Sequence, residues 1–274
     1  MVASPSDPNA LAKDGATVGA YTIRLFGGFA VEQPSGAMAP ALPQRRAEAI
    51  LAILAVCGSL GCSRERLMAL LWPECDEAHG RHHLRDALYA IHRAYGGSAV
   101  LTEGDIVRLD PATLQSDVQQ FAAALAEARP ADAVAVYGGG FLDGFHVTDS
   151  AELERWIDDE RSRLFREYQL AIKVLAKKAE TGAHWDAAAE WWGRLLAADP
   201  YNSRAAVRRM VALARSGDRA NAIREGEAHC RRLKVELELD PDPELLEELE
   251  RIRGGAFEPS YFSGPSGDAA PTGS

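Results

Sequence analysis

Cysteine is scarce in this chain of 274 residues: there are four, at Cys57, Cys62, Cys75 and Cys230. They are too few and too scattered for a disulfide framework, so the sequence predicts reduced thiols. Long apolar runs are missing too. None approaches the roughly 18 residues that span a bilayer, and no membrane partner is expected. Lys13 is the only early base and no apolar segment follows it. A secretory leader is therefore not expected, and a cytoplasmic location follows. Nor is there an excess of base. The net charge is −10, but it is unevenly spread. Residues 21–112 hold 9 Lys+Arg and 10 Asp+Glu, net −1, while residues 113–255 hold 20 and 26, net −6. The surplus acid thus lies mostly in the second half.

Motifs of catalysis are absent as well. Gly138-Gly139-Gly140 lacks the Lys-Ser/Thr that a phosphate loop needs. No Ser-His-Asp or Cys-His set sits on fixed loops, and Asp158-Asp159-Glu160 reads as a helix surface. Neither an enzyme nor a cofactor is expected.

What is present is periodicity. Residues 1–20 and 256–274 have none; they read as a disordered lead and a disordered tail or linker. Tyr21, Ile23 and Leu25 alternate with Thr22, Arg24 and Phe26, Gly27-Gly28 interrupts, and Phe29 and Val31 resume. That pattern predicts a strand, a bulge and a second strand. Pro43 opens a helix with Ala47, Ile50, Leu51 and Leu54 on one stripe. Ser63 caps a second helix, with Leu67, Leu70 and Leu71 inward. A third runs from about Asp76 to Tyr95 on a stripe of Leu84, Ala87, Leu88, Ile91 and Tyr95. Ala99–Thr102, a Glu103-Gly104-Asp105 turn and Ile106–Leu109 make a β-hairpin.

From Asp117 onward every segment has helical period. Helices are expected over 117–128, 131–137, 151–181, 184–198, 201–216, 219–236 and 242–253, with a loop at 141–149. Gly182 and Gly217 are spaced by 35, and Ala188-x3-Trp192-x2-Leu195-x4-Pro200 carries the second-helix pattern of a tetratricopeptide unit.

Strands, three helices and a hairpin, in that order, make a winged helix-turn-helix whose third helix enters the major groove. The predicted fold is therefore mainly α. A winged helix-turn-helix domain with a small β-sheet and a wing spans residues 21–112, and an all-α tetratricopeptide-like domain spans residues 113–255.

Here the chain resembles a known family. The stretches Ile23–Phe29 (IRLFGGF), Gln44–Ala55 (QRRAEAILAILA), Ser63–Pro73 (SRERLMALLWP), Gly80–Tyr95 (GRHHLRDALYAIHRAY) and Leu101–Asp110 (LTEGDIVRLD) carry the resemblance in the first half. Tyr137–Gly144 (YGGGFLDG), Ala151–Glu160 (AELERWIDDE) and Asp199–Asn202 (DPYN) carry it in the second. Residues 21–253 look like the antibiotic-regulatory-protein type of bacterial activator. In that type an OmpR-like winged helix is joined to a bacterial transcriptional activator domain. The resemblance implies binding to double-stranded promoter DNA and recruitment of RNA polymerase. The helical domain would serve in homodimerisation or signal input.

On a wheel of about 100° per residue, Leu84, Leu88 and Ile91 point inward. His82, Asp86, Tyr89 and Arg93 point outward, with Arg85 at the edge. Arg81, His82, Arg85, Tyr89 and Arg93, with Arg108 on the wing, are the expected DNA contacts; the bland alternative is a solvated face. Cys75, His79 and His83 follow at intervals of four, and two such histidines could hold a metal. Yet Cys75 and His79 straddle the helix start and no fourth ligand appears, so no metal is expected. Trp156, Trp185, Trp191 and Trp192 have the spacing of a helix-helix core. The rival to a DNA-binding regulator is an interaction scaffold whose winged helix has lost DNA binding. The near-neutral first domain favours that rival.

Overall fold

The structure, a computed structural model, describes residues 20–148 and 150–255. They form two compact units by contact.

The first unit holds residues up to 119 and residues 139–158. β1 (Tyr21–Arg24) pairs antiparallel with β2 (Ala30–Glu32), with Ile23 opposite Val31. α1 (Arg45–Cys57) follows, then β3 (Cys62–Ser63), α2 (Arg64–Leu71) and α3 (Glu77–Tyr95). β4 (Val100–Glu103) and β5 (Ile106–Leu109) are the antiparallel hairpin of the wing. β6 (Leu114–Ser116) then pairs parallel to β1. The result is the expected winged helix.

α1 is more central than one apolar stripe suggests. Every residue from Ala47 to Ala55 is buried. A helix buried all round lies in the middle of its core rather than on its edge. Its one buried acid, Glu48, is held by Arg45 at 2.9 Å. The helices that contact it, α2 and α3, supply Leu67, Leu71, Leu84 and Ile91, each at most 1% exposed. Burying such a side chain contributes roughly 1.5–3 kcal/mol.

Two strands escape the sequence pattern. β3 has only two residues and joins the wing sheet, which has the order β3-β5-β4. Gly61 permits this. Its φ is +67°, and a Cβ there would lie 2.7 Å from the Val107 carbonyl oxygen. β6 has three residues and extends the first sheet to the order β2-β1-β6.

Contact therefore divides the chain differently from the boundary at 112/113 read from the sequence. Asp117, which opens α4 (Asp117–Ala126), is buried and accepts from the backbone N–H groups of Leu25 and Phe26. Residues 139–158 also return to the first unit. The Gly27 N–H donates to the Gly140 carbonyl at 2.9 Å, and the Leu142 N–H to the Leu25 carbonyl at 2.8 Å. Buried backbone groups need partners, and these segments supply them to one another.

The second unit takes in residues 120–138 and the chain from 159 onward. It contains α5 (Pro130–Val136), most of α6 (Ala151–Thr181), α7 (Trp185–Ala198), α8 (Ser203–Arg215), α9 (Arg219–Glu236) and α10 (Pro243–Arg253). Alanines at the crossings let the helices approach. Ala176, Ala188 and Ala205 surround Trp192 and Leu195 in one core. Ala206, Met210 and Ala222 pack with Leu233, Leu245 and Ile252 in another. Trp192 is a core residue, as its spacing predicts, and donates Nε1–H to Glu180 at 2.8 Å. The lead and tail expected at 1–20 and 256–274 lie outside the described residues, Ala20 apart. Among the described residues, no helix is long and apolar enough to cross a membrane.

Candidate nucleic-acid interface

α3 starts where its sequence says it should. The Asp76 side chain caps the helix, accepting from the His79 N–H at 2.9 Å, and its second oxygen lies 2.8 Å from His79 Nδ1. These bonds hold the Asp76 carboxyl below the usual carboxylate range, the backbone bond contributing most. Gly80, Leu84, Ala87, Leu88, Ile91 and Tyr95 face inward and are buried. Arg81, His82, Arg85, Asp86, Tyr89 and Arg93 are exposed. Tyr89 is 69% exposed, a large aromatic with no core role.

The helix thus brings five of the six expected contacts to one exposed surface. Three of these five have an acidic neighbour. Arg81 pairs with Glu77 one turn back. Arg85 lies 2.7 Å from His82 Nδ1 and 3.9 Å from Asp86, and His82 Nε2 lies 3.3 Å from Asp86. Asp86 therefore occupies two candidate DNA contacts at once. The Arg93 guanidinium has no side-chain partner among the described residues.

Arg108 stands apart from this row. It lies on β5 and pairs across the hairpin with Glu103, not with α3. The wing tip, Glu103-Gly104-Asp105, is acidic. The link between wing and helix is His92, whose Nε2 lies 3.2 Å from the Val100 carbonyl oxygen on β4.

Two of the clustered histidines have other duties. His83 stacks on Trp72 at 5.7 Å between ring centroids. His79 is bound to Asp76. Among the described residues, no group of three or more His, Cys, Asp or Glu could hold a metal ion.

A cleft beside α3 was not legible in the sequence. It has a volume of about 520 Å³, and Arg45, Arg46, Trp72, His83, Asp86 and His146 line it. Arg46 lies over the Trp72 ring at 5.8 Å and reaches toward Glu74 at 3.8 Å. Arg45 and Arg46 fall in the stretch Gln44–Ala55. That His146, about a hundred residues on, lines the same cleft had no local signal.

Comparison with known proteins gives a family and a fold. The model of the bacterial transcriptional activator domain matches residues 105–253. No curated protein matches the chain. Among solved structures, the chain is similar to Mycobacterium tuberculosis EmbR in complex with a low affinity phosphopeptide. Identity is 19% and the TM-score 0.60, over 86% of this chain and 65% of that one. The chain thus spans less than two thirds of that structure, and at this identity the likeness is one of fold.

Proposed function

The chain belongs to the bacterial transcriptional activator domain family, and we propose that it is a DNA-binding transcriptional regulator that reads promoter DNA with α3. The observation that carries this is the exposed face of α3. Arg85, Tyr89 and Arg93 recur every four residues, about 6 Å apart along the axis. Nothing in the first unit's core needs them there. Arginines so placed can reach guanine edges or phosphates, and His82 and Tyr89 can reach bases or backbone.

The acidic neighbours do not block this role. An exposed ion pair contributes about 0–1 kcal/mol, whereas a good bidentate arginine–guanine contact is worth about 1–3 kcal/mol. DNA can therefore take Arg85 from Asp86. In this reading Arg108 gives backbone support from the wing. The protein acts in the cytoplasm by binding rather than by catalysis. It recruits RNA polymerase, and the helical unit serves dimerisation or signal input.

One observation favours a second reading. Arg81 and Arg85 on α3, and Arg108 on the wing, each have an acid within ion-pair distance, so these charges are locally neutralised. That is the pattern of a protein-interaction scaffold whose winged helix no longer binds DNA. A gel shift with the protein's own upstream DNA, against random competitor, decides between them. A specific shift supports the regulator; its absence supports the scaffold.

A further inference from the structure

Two rows of cations line one cavity of the helical unit. Lys173 and Lys177 stand one turn apart on α6, and Arg204 and Arg208 one turn apart on α8. With Trp192 and Glu244 they help to bound about 630 Å³. Arg208 lies 3.4 Å from Glu180, which is already engaged by Trp192. Lys173, Lys177 and Arg204 have no ion-pair partner among the described residues. Other arginines of the unit are paired with acids, among them Arg163 with Glu160, Arg209 with Glu225, and Arg253 with Glu227. α8 carries no acid along its whole length, Ser203–Arg215. In a chain of net charge −10, this is a local concentration of unmatched base. Like charges gathered in a concave site repel one another and focus an attractive potential for anions.

We propose that this groove binds an acidic, extended segment of a partner protein. Side chains one turn apart on a helix are separated by about 6 Å along its axis. Alternate side chains of an extended peptide are separated by roughly 6.4–6.8 Å. Carboxylates at alternate positions therefore meet Lys173 and Lys177, or Arg204 and Arg208, in register. The volume is that of a small-ligand or short-peptide site. A duplex presents its charge on a convex rod and does not enter such a cavity. Glu244 also discriminates. It repels phosphate, and it can accept from a peptide N–H.

This inference does not rest on the DNA reading, and its test is separate. The probe is a short fluorescein-labelled peptide with glutamate at alternate positions. Its counterpart has glutamine instead, and binding to the full chain is followed by fluorescence anisotropy. The glutamate peptide binds and the glutamine peptide does not. Lys177→Glu with Arg204→Glu, both at exposed positions, weakens binding by roughly tenfold or more. Arg231→Glu, exposed and outside the groove, leaves it unchanged. Equal binding of the two peptides, or wild-type affinity in the double variant, overturns the proposal. If unlabelled duplex displaces the peptide and the double variant also loses DNA affinity, the groove is a nucleic-acid contact instead. If the chain self-associates and the double variant does not, its occupant is a second copy.

Discussion

His82 Nε2 lies 3.3 Å from a carboxylate oxygen of Asp86, one turn further along the exposed face of α3. The same carboxylate is 3.9 Å from Arg85 Nε. An acid in this position restrains two candidate DNA contacts and adds its own repulsion of phosphate. Asp86→Asn should therefore tighten binding to every duplex, specific and random alike, and fluorescence anisotropy at fixed salt measures it. If the substitution weakens only the specific site, Asp86 is itself reading a base, by accepting from a cytosine amino group.

Tyr95 closes α3 with an unusual cost. It is 5% exposed, packs edge-on to Tyr21 at 5.3 Å, and its buried hydroxyl has no hydrogen-bond partner among the described residues. Burial pushes its pKa up to about 12. An unsatisfied buried polar group costs about 1–3 kcal/mol. Tyr95→Phe should leave thermal stability unchanged or raise it. A loss above about 1 kcal/mol would show that the hydroxyl has a partner in solution.

His229, in the helical unit, sets a pH dependence. It is 3% exposed, and its Nδ1 has no hydrogen-bond partner among the described residues. Burial holds its pKa below the ordinary histidine value, and Arg232 lowers it further against the opposing pull of Asp242 and Asp199. The folded state then binds fewer protons than the unfolded state. Its contribution is full above about pH 6.5 and is lost as the pH falls below it, by at most ~1.4 kcal/mol per pH unit for one proton. Thermal melts across this range should show the decline, and His229→Gln should flatten it. An unchanged slope in the variant would assign the dependence to other groups.

How far the sequence carries depends on how local the signal is. α6 and α9 have the bounds that periodicity predicts, 151–181 and 219–236, because long repetitive patterns outweigh any single residue. The outward face of α3 was legible for the same reason: Leu84, Leu88 and Ile91 fix the inward one. β3 and β6 were not legible, since two or three residues carry no period and their partners are distant. Asp117 shows the limit. In sequence it is an acid at a helix start. In the fold it is a buried hub joined to Leu25, 92 positions away. The stacking of His83 on Trp72 and the hydrogen bond from Arg46 to the Thr148 carbonyl depend in the same way on packing that no local pattern announces.

The central claim is that α3 reads DNA, and the most direct measurement is the affinity of Arg85→Ala and Arg93→Ala for the protein's own upstream site and for random duplex. Both side chains are exposed, so both variants should fold, which circular dichroism checks. An arginine that reads a guanine should cost about 1–3 kcal/mol at the specific site and relax specificity there. One that meets phosphate should weaken all sequences alike and flatten the salt dependence. The account predicts one or the other loss at each position. Folded variants that both bind the specific site with wild-type affinity would contradict it and remove α3 from the mechanism.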